Sequence, residues 1–90
     1  MQSKTKPSMT AAERRHVEKL AQLDCIVCGA SGVEIHEPEQ GLWFAAMPLC
    51  STCHRDPVFG WHGRRGNWKA AKMDEIKAIA ATVRLLMEGK

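Results

Sequence analysis

No apolar run in this 90-residue chain approaches the roughly 18–20 residues that a membrane-spanning helix needs, which excludes a helical span. The opening stretch Met1–Pro7 is polar and basic and has no apolar segment behind it. The sequence therefore predicts no secretory signal and a cytoplasmic location. There is no low-complexity tract, and no internal repeat beyond two short cysteine motifs, so a repeat architecture is excluded. A large charge excess is missing too: 13 Lys+Arg against 10 Asp+Glu leaves +3, too mild to imply a nucleic-acid partner by itself. Nor is there length for a second domain. A chain this short buries only about 60% of its unfolded surface. Core burial alone is then marginal, and small domains commonly carry a staple. The 44% apolar and 26% charged residues are those of a globular chain and not of a disordered one.

What the chain does have is four cysteines in two C-x-x-C pairs, Cys25/Cys28 and Cys50/Cys53, with 21 residues between the pairs. Each C-x-x-C turn directs two thiolates to one point, and two such knuckles close a tetrahedral donor set. The spacing is one residue longer than the usual template and predicts a structural Zn2+ site. Gly29 gives the backbone freedom to turn after the first knuckle, and Pro48-Leu49 leads into the second. Two disulfides are the alternative, but they suit a secreted chain. A redox role would call for a βαβ pattern, which is absent. Structural zinc contributes on the order of 10 kcal/mol to folding, comparable with the whole stability of a small domain.

Residues 1–9 read as a disordered basic arm and residues 10–90 as a single domain. Thr10 and Glu13 form a capping-box signature. Val17, Leu20 and Ala21 follow at helical spacing, widened by Leu23, so a helix is expected from Thr10 to about Asp24. Val33–His36 and Leu42–Met47 are strand candidates that make a hairpin between the knuckles. A helical segment is expected after Cys53, limited by Pro57 and Gly60. From about Asp74 to Met87, Ile76, Ile79, Ala80, Val83, Leu86 and Met87 mark an amphipathic helix. Asp74 and Glu75 lie in its first turn, and Gly89 is a stop. Its apolar stripe reads as core packing or as a dimer face.

His36, His54 and His62 lie near the cysteine framework in sequence and suggest a second metal site. His16 reads as a solvated residue of the first helix. Glu34-Ile35-His36, a hairpin, and then Pro48-Leu49-Cys50-Ser51-Thr52-Cys53-His54 together resemble the HNH (ββα-metal) nuclease superfamily. Within it, the likeness is to phage and prophage proteins of the RecA-dependent, Ref-like group. The resemblance covers roughly Leu20 to Leu86, most of the chain. It takes in Ile26-Val27-Cys28-Gly29 and Trp61-His62-Gly63.

The resemblance implies a small α+β fold: a zinc-stabilised ββα-metal, treble-clef-like core with an N-terminal helix and a C-terminal amphipathic helix. It implies a metal-dependent DNA endonuclease that hydrolyses phosphodiesters with a single Mg2+ or Mn2+. Carried over residue by residue, His36 falls on the metal-binding position of the strand and His54 on the metal ligand of the helix. His62 falls on a later histidine that reaches the metal. Glu37 falls where the general-base histidine is expected, and by spacing from Cys50 the place of the base-orienting asparagine is Ala45. Water activation then falls to Glu37, or to His36 by a one-residue shift. Alternatively the site is degenerate, and the scaffold is a zinc module that binds DNA or a host or phage protein as adaptor or inhibitor. His54 could also replace a cysteine on zinc. A recombination filament as partner follows by analogy with the Ref-like group alone.

The charge is distributed unevenly. Arg55, Arg64, Arg65, Lys69 and Lys72 face a single acid, Asp56, in one stretch that also holds Trp61 and Trp68. Clustered cations of this kind attract phosphate, and an arginine among them can grip it bidentately. The alternative is a solvated face, with the two tryptophans in the core and not under bases. Arg14, Arg15 and Lys19 add a basic patch to the first helix, and Lys4 and Lys6 extend the grip into the arm. Glu34, Glu37 and Glu39 would repel phosphate unless they border a metal.

Overall fold

The computed structural model describes residues 9–88, in the order α1 (Ala11–Leu20), β1 (Val33–His36), a single 3-10 turn (Trp43–Ala45), β2 (Met47–Cys50), α2 (Ser51–Arg55), α3 (Gly66–Ala70) and α4 (Glu75–Met87). It is a small α+β structure, and among the described residues no helix is long and apolar enough to cross a membrane. Most of the expected basic arm and the Gly89 stop lie outside the described residues.

The capping box forms as the sequence predicts. The Glu13 N–H donates to Thr10 Oγ1 at 3.1 Å, and the Thr10 N–H donates to Glu13 Oε1 at 2.8 Å. Two of the orphan donors at the helix start are thereby satisfied. The helix ends at Leu20 and not at Asp24, because Gln22 and Leu23 bond back to the carbonyls of Lys19 and Leu20 and tighten the chain. Leu20 is fully buried, and α1 packs against the 3-10 turn. His16 is not a solvated residue: it is half-buried, its ring 5.1 Å from that of Phe44. Burial, and then the neighbouring Lys19 charge, hold its pKa below the usual value.

The hairpin between the knuckles is present, with β1 where the sequence puts it. Its second arm is displaced. Residues 43–45 form a 3-10 turn, and the strand is Met47–Cys50, antiparallel to β1 with Val33 opposite Cys50 and His36 opposite Met47. All four β2 residues are buried, so it shows no polar–apolar alternation for a strand search to find. The register puts His36 at one end of the sheet and the second knuckle at the other.

The core is Met47, Leu49, Trp68 and Ala78 packed with Cys25, Cys50 and Cys53, and Val33, Ile26, Met73 and Ile79 close its margin. The α4 stripe divides. Ala78 and Thr82 face inward, fully buried, with Ile79 beside them, whereas Ile76 is 77% exposed and Met87 81%. Small residues sit where the helix meets the core, and the Thr82 hydroxyl is satisfied by the Ala78 carbonyl at 2.8 Å. This orientation has a direct test in urea unfolding. Ala78→Leu should overpack the core and cost about 1–3 kcal/mol, while Ile76→Ala should stay within about 0.5 kcal/mol of the parent chain.

Candidate metal centres

The two knuckles meet. The Sγ atoms of Cys25, Cys28, Cys50 and Cys53 all lie within 4.8 Å of one another, and none is in a disulfide. The Cys28 and Cys50 sulfurs are 3.6 Å apart. Two 2.3 Å metal–sulfur bonds at a tetrahedral angle separate their sulfurs by about 3.8 Å, so the cluster has the dimensions of a four-thiolate site.

Local structure explains the convergence. Gly29 at φ +83° lets the first knuckle fold back, and its N–H donates to the Cys25 carbonyl at 2.9 Å. The Ile26 N–H donates to the Pro48 carbonyl at 3.0 Å and ties that knuckle to β2. In the second knuckle Cys50 caps α2, its sulfur accepting the Cys53 N–H at 3.4 Å. Asn67 Nδ2 donates to Cys53 Sγ at 3.3 Å, and Trp68 Nε1 donates to the Cys53 carbonyl at 2.8 Å. Helix α3, which has no periodic signature in the sequence, thus buttresses the second knuckle.

The thiols do not titrate alike. Burial pushes Cys25 up, but backbone hydrogen bonds at Cys50, Cys28 and Val27 outweigh it and bring it to about 7. Burial and the neighbouring sulfurs raise Cys28 and Cys53. Four thiolates at this separation repel one another unless a cation neutralises them, and the donor set fits such an ion.

The second constellation lies at the opposite end of the sheet. His36 ends β1, His54 lies in α2 one residue beyond Cys53, and His62 comes from the loop before α3. One nitrogen of each lies within 4.8 Å of the others, and the three rings are 5.0–5.3 Å apart. His54 therefore belongs to this group and not to the cysteine cluster. His62 is positioned by its backbone: the N–H groups of Trp61 and His62 donate to the Cys53 and His54 carbonyls at 2.8 and 3.2 Å. Gly63 permits the fold of that loop, since a Cβ there would stand 2.2 Å from the Pro57 carbonyl oxygen.

Two carboxylates hold the histidines. His36 is 5% exposed, and its Nε2 lies 2.6 Å from Glu75 Oε2. His54 Nδ1 lies 2.8 Å from Glu34 Oε1, and the facing nitrogens, His36 Nδ1 and His54 Nε2, are 3.2 Å apart. Arg55 donates to both oxygens of Glu34. His54, and then Arg55, hold the Glu34 carboxyl below the usual carboxylate range. From the sequence, Glu34 belongs to the Glu34-Ile35-His36 motif and to an acid cluster, and Glu75 to a helix's first turn, and neither is expected as a histidine's partner. Glu75 is 39 residues from His36, and no local pattern links them.

The histidines open onto a shallow cleft of about 340 Å³ that Ile35, Glu37 and Gln40 also line. Glu37 Oε1 accepts the Gly41 N–H at 2.9 Å and so braces the hairpin loop. Ala45, in the 3-10 turn, does not line this cleft. No family model, curated protein or solved structure matches the chain.

The basic stretch is only partly a free surface. Arg55 is engaged by Glu34, and Arg65 stacks on Trp61, 3.5 Å from its ring centroid, while its Nε donates to the Trp61 carbonyl at 2.8 Å. Trp61 also contacts Trp68, with centroids 4.7 Å apart, and Trp68 is fully buried. Neither ring is an open platform for a base. Arg64, Lys69 and Lys72 are exposed. For the cysteine cluster, the expected outcome is one tightly held metal ion per chain by elemental analysis. Stripping it with a chelator, or replacing Cys53 by Ser, should abolish the native circular dichroism, because metal affinity is spent on folding. Metal-free protein with an unchanged spectrum would rule the site out.

Proposed function

We propose that the protein is a metal-dependent DNA endonuclease of the HNH type, built on a treble-clef-like scaffold whose cysteine cluster holds a structural zinc ion. The observation that carries this reading is the contrast between its two donor sets. Four cysteines make a set with no position left over, the character of a structural site. Three histidines at an open cleft leave positions for substrate and water, the character of a catalytic one. The motif likeness around His36 and Cys50–His54 supplies the reaction class.

In this reading His36, His54 and His62 would hold a divalent ion, Mg2+ or Mn2+ by the resemblance, which would polarise the scissile phosphate and stabilise the leaving oxygen. Glu37, on the cleft wall, is the residue assigned to take a proton from the attacking water. Glu75 engages His36 Nε2, which leaves Nδ1, turned toward His54, as the atom for a ligand role in preference to a base. Arg64, Lys69 and Lys72 supply the exposed positive charge for the DNA backbone, a grip that weakens with salt. Zinc in the cysteine cluster acts by folding and keeps β1, α2 and the His62 loop in register.

The competing reading is a degenerate scaffold that binds DNA or a protein partner without cutting. Its support is specific: the Glu37 carboxylate is occupied by the Gly41 N–H, and Ala45 offers no side chain to orient a base. Plasmid nicking decides between the two. The endonuclease should nick supercoiled DNA with Mg2+ or Mn2+, and His36→Ala and His54→Ala should each lose activity by about 100-fold or more, the scale of a lost electrostatic or acid–base contribution. A folded, zinc-loaded wild type that retards DNA but never nicks it would establish the binding module instead.

A further inference from the structure

Both histidine–carboxylate contacts constrain where protons sit. A carboxylate offers lone pairs only, so an imidazole nitrogen facing one must carry its hydrogen. The 2.6 Å contact to Glu75 therefore puts the proton of His36 on Nε2, and the 2.8 Å contact to Glu34 puts that of His54 on Nδ1. The nitrogens left over, His36 Nδ1 and His54 Nε2, face each other at 3.2 Å. For two neutral rings these are two lone pairs pointing together, which is unfavourable unless a cation lies between them. Two metal–nitrogen bonds of 2.0–2.1 Å separate their nitrogens by about 2.8–3.0 Å at an octahedral angle and by about 3.3–3.4 Å at a tetrahedral one. The observed spacing lies between the two, close to the tetrahedral value.

We propose that Glu75 and Glu34 are positioning residues: each binds the outer nitrogen of a histidine and thereby assigns His36 Nδ1 and His54 Nε2 as the metal-binding atoms. The proposal rests on the reading of the three histidines as a metal site, and deepens it by naming the groups that orient the ligands. The two carboxylates come from different directions. Glu34 stands on β1 two residues before His36, so it shares the strand face, and Arg55 from the end of α2 steadies it. Glu75 is the first residue of α4, and through it the helix at the far end of the chain reaches the site. Carboxylate–histidine–metal triads fix ring orientation and raise the ligand's basicity, and losing the outer partner costs 10–100-fold in metal affinity.

The test uses the zinc-loaded chain with nitrogen-15 label and no second metal. Long-range proton–nitrogen correlation above pH 8 should show His36 protonated on Nε2 and His54 on Nδ1. The Nδ1–H form is the less common tautomer of a free imidazole, so His54 is the informative ring. Glu34→Ala should return His54 to the Nε2–H form, while Glu34→Gln, which keeps an acceptor, should hold it. Mn2+ titration followed by loss of the free-ion electron paramagnetic resonance signal should then give 10–100-fold weaker binding for Glu75→Ala and for Glu34→Ala, with Glu75→Gln recovering part of the loss. Circular dichroism and zinc content verify that each variant is folded. Mn2+ affinity unchanged in both folded alanine variants, or His54 protonated on Nε2 in the wild type, overturns the proposal while leaving the metal site standing. A wild type that binds no Mn2+ overturns the metal site and the proposal with it.

Discussion

The convergence of four sulfurs within 4.8 Å is the constraint on which the rest of the structure depends. Cys25, Cys50 and Cys53 are themselves buried members of the core, packed with Met47, Leu49, Trp68 and Ala78. In a chain of 90 residues apolar burial alone leaves a modest margin. The cysteines do two things at once: they fill interior volume and they offer a donor set whose charge repulsion only a cation relieves. The thiols behave unevenly: burial pushes Cys28 and Cys53 up, whereas at Cys25 backbone hydrogen bonds outweigh burial and draw it down to about 7.

What was legible in the sequence was whatever is written locally. The Thr10/Glu13 capping box, strand Val33–His36 and the knuckle pairs all depend on residues a few positions apart, and all are found where the sequence puts them. The misses share a cause. Strand β2 runs Met47–Cys50 because it is buried on both faces, so the alternation that marks a half-buried strand is missing, and Pro48 inside it argues locally against a strand. Helix α3 begins at a glycine after a left-handed Arg65 and is held by tertiary bonds from Trp68 and Asn67, not by propensity. On α4 the inward positions are Ala78 and Thr82, which a hydropathy pattern ranks below Ile76 and Val83. Close approach to the core selects small side chains there, and the larger ones turn outward.

The candidate site divides in the same way. Nearness in sequence to the cysteine knuckles pointed to His36, His54 and His62 as a group. The carboxylates that hold them were not legible, because Glu75 meets His36 only once α4 has docked. The basic stretch shows the opposite error of a linear reading. Five cations within 18 positions read as a phosphate surface, yet Arg55 neutralises Glu34, and Arg65 covers Trp61 and bonds to its carbonyl. Charge counted along the chain overstates the charge that faces a ligand.

The two candidate donor sets lie close together along one small chain. Only eight residues lie between Cys53 and His62, and Cys53 and His54 are adjacent, so the two sites share a backbone segment. Within α2 their side chains nevertheless diverge: Cys53 is fully buried toward the sulfur cluster, while His54 turns to Glu34 and His36. Successive residues on a helix point about 100° apart, which is enough to send neighbours to separate sites. The Cys53 and His54 carbonyls then accept the N–H groups of Trp61 and His62, so the segment that closes the first site carries the third donor of the second.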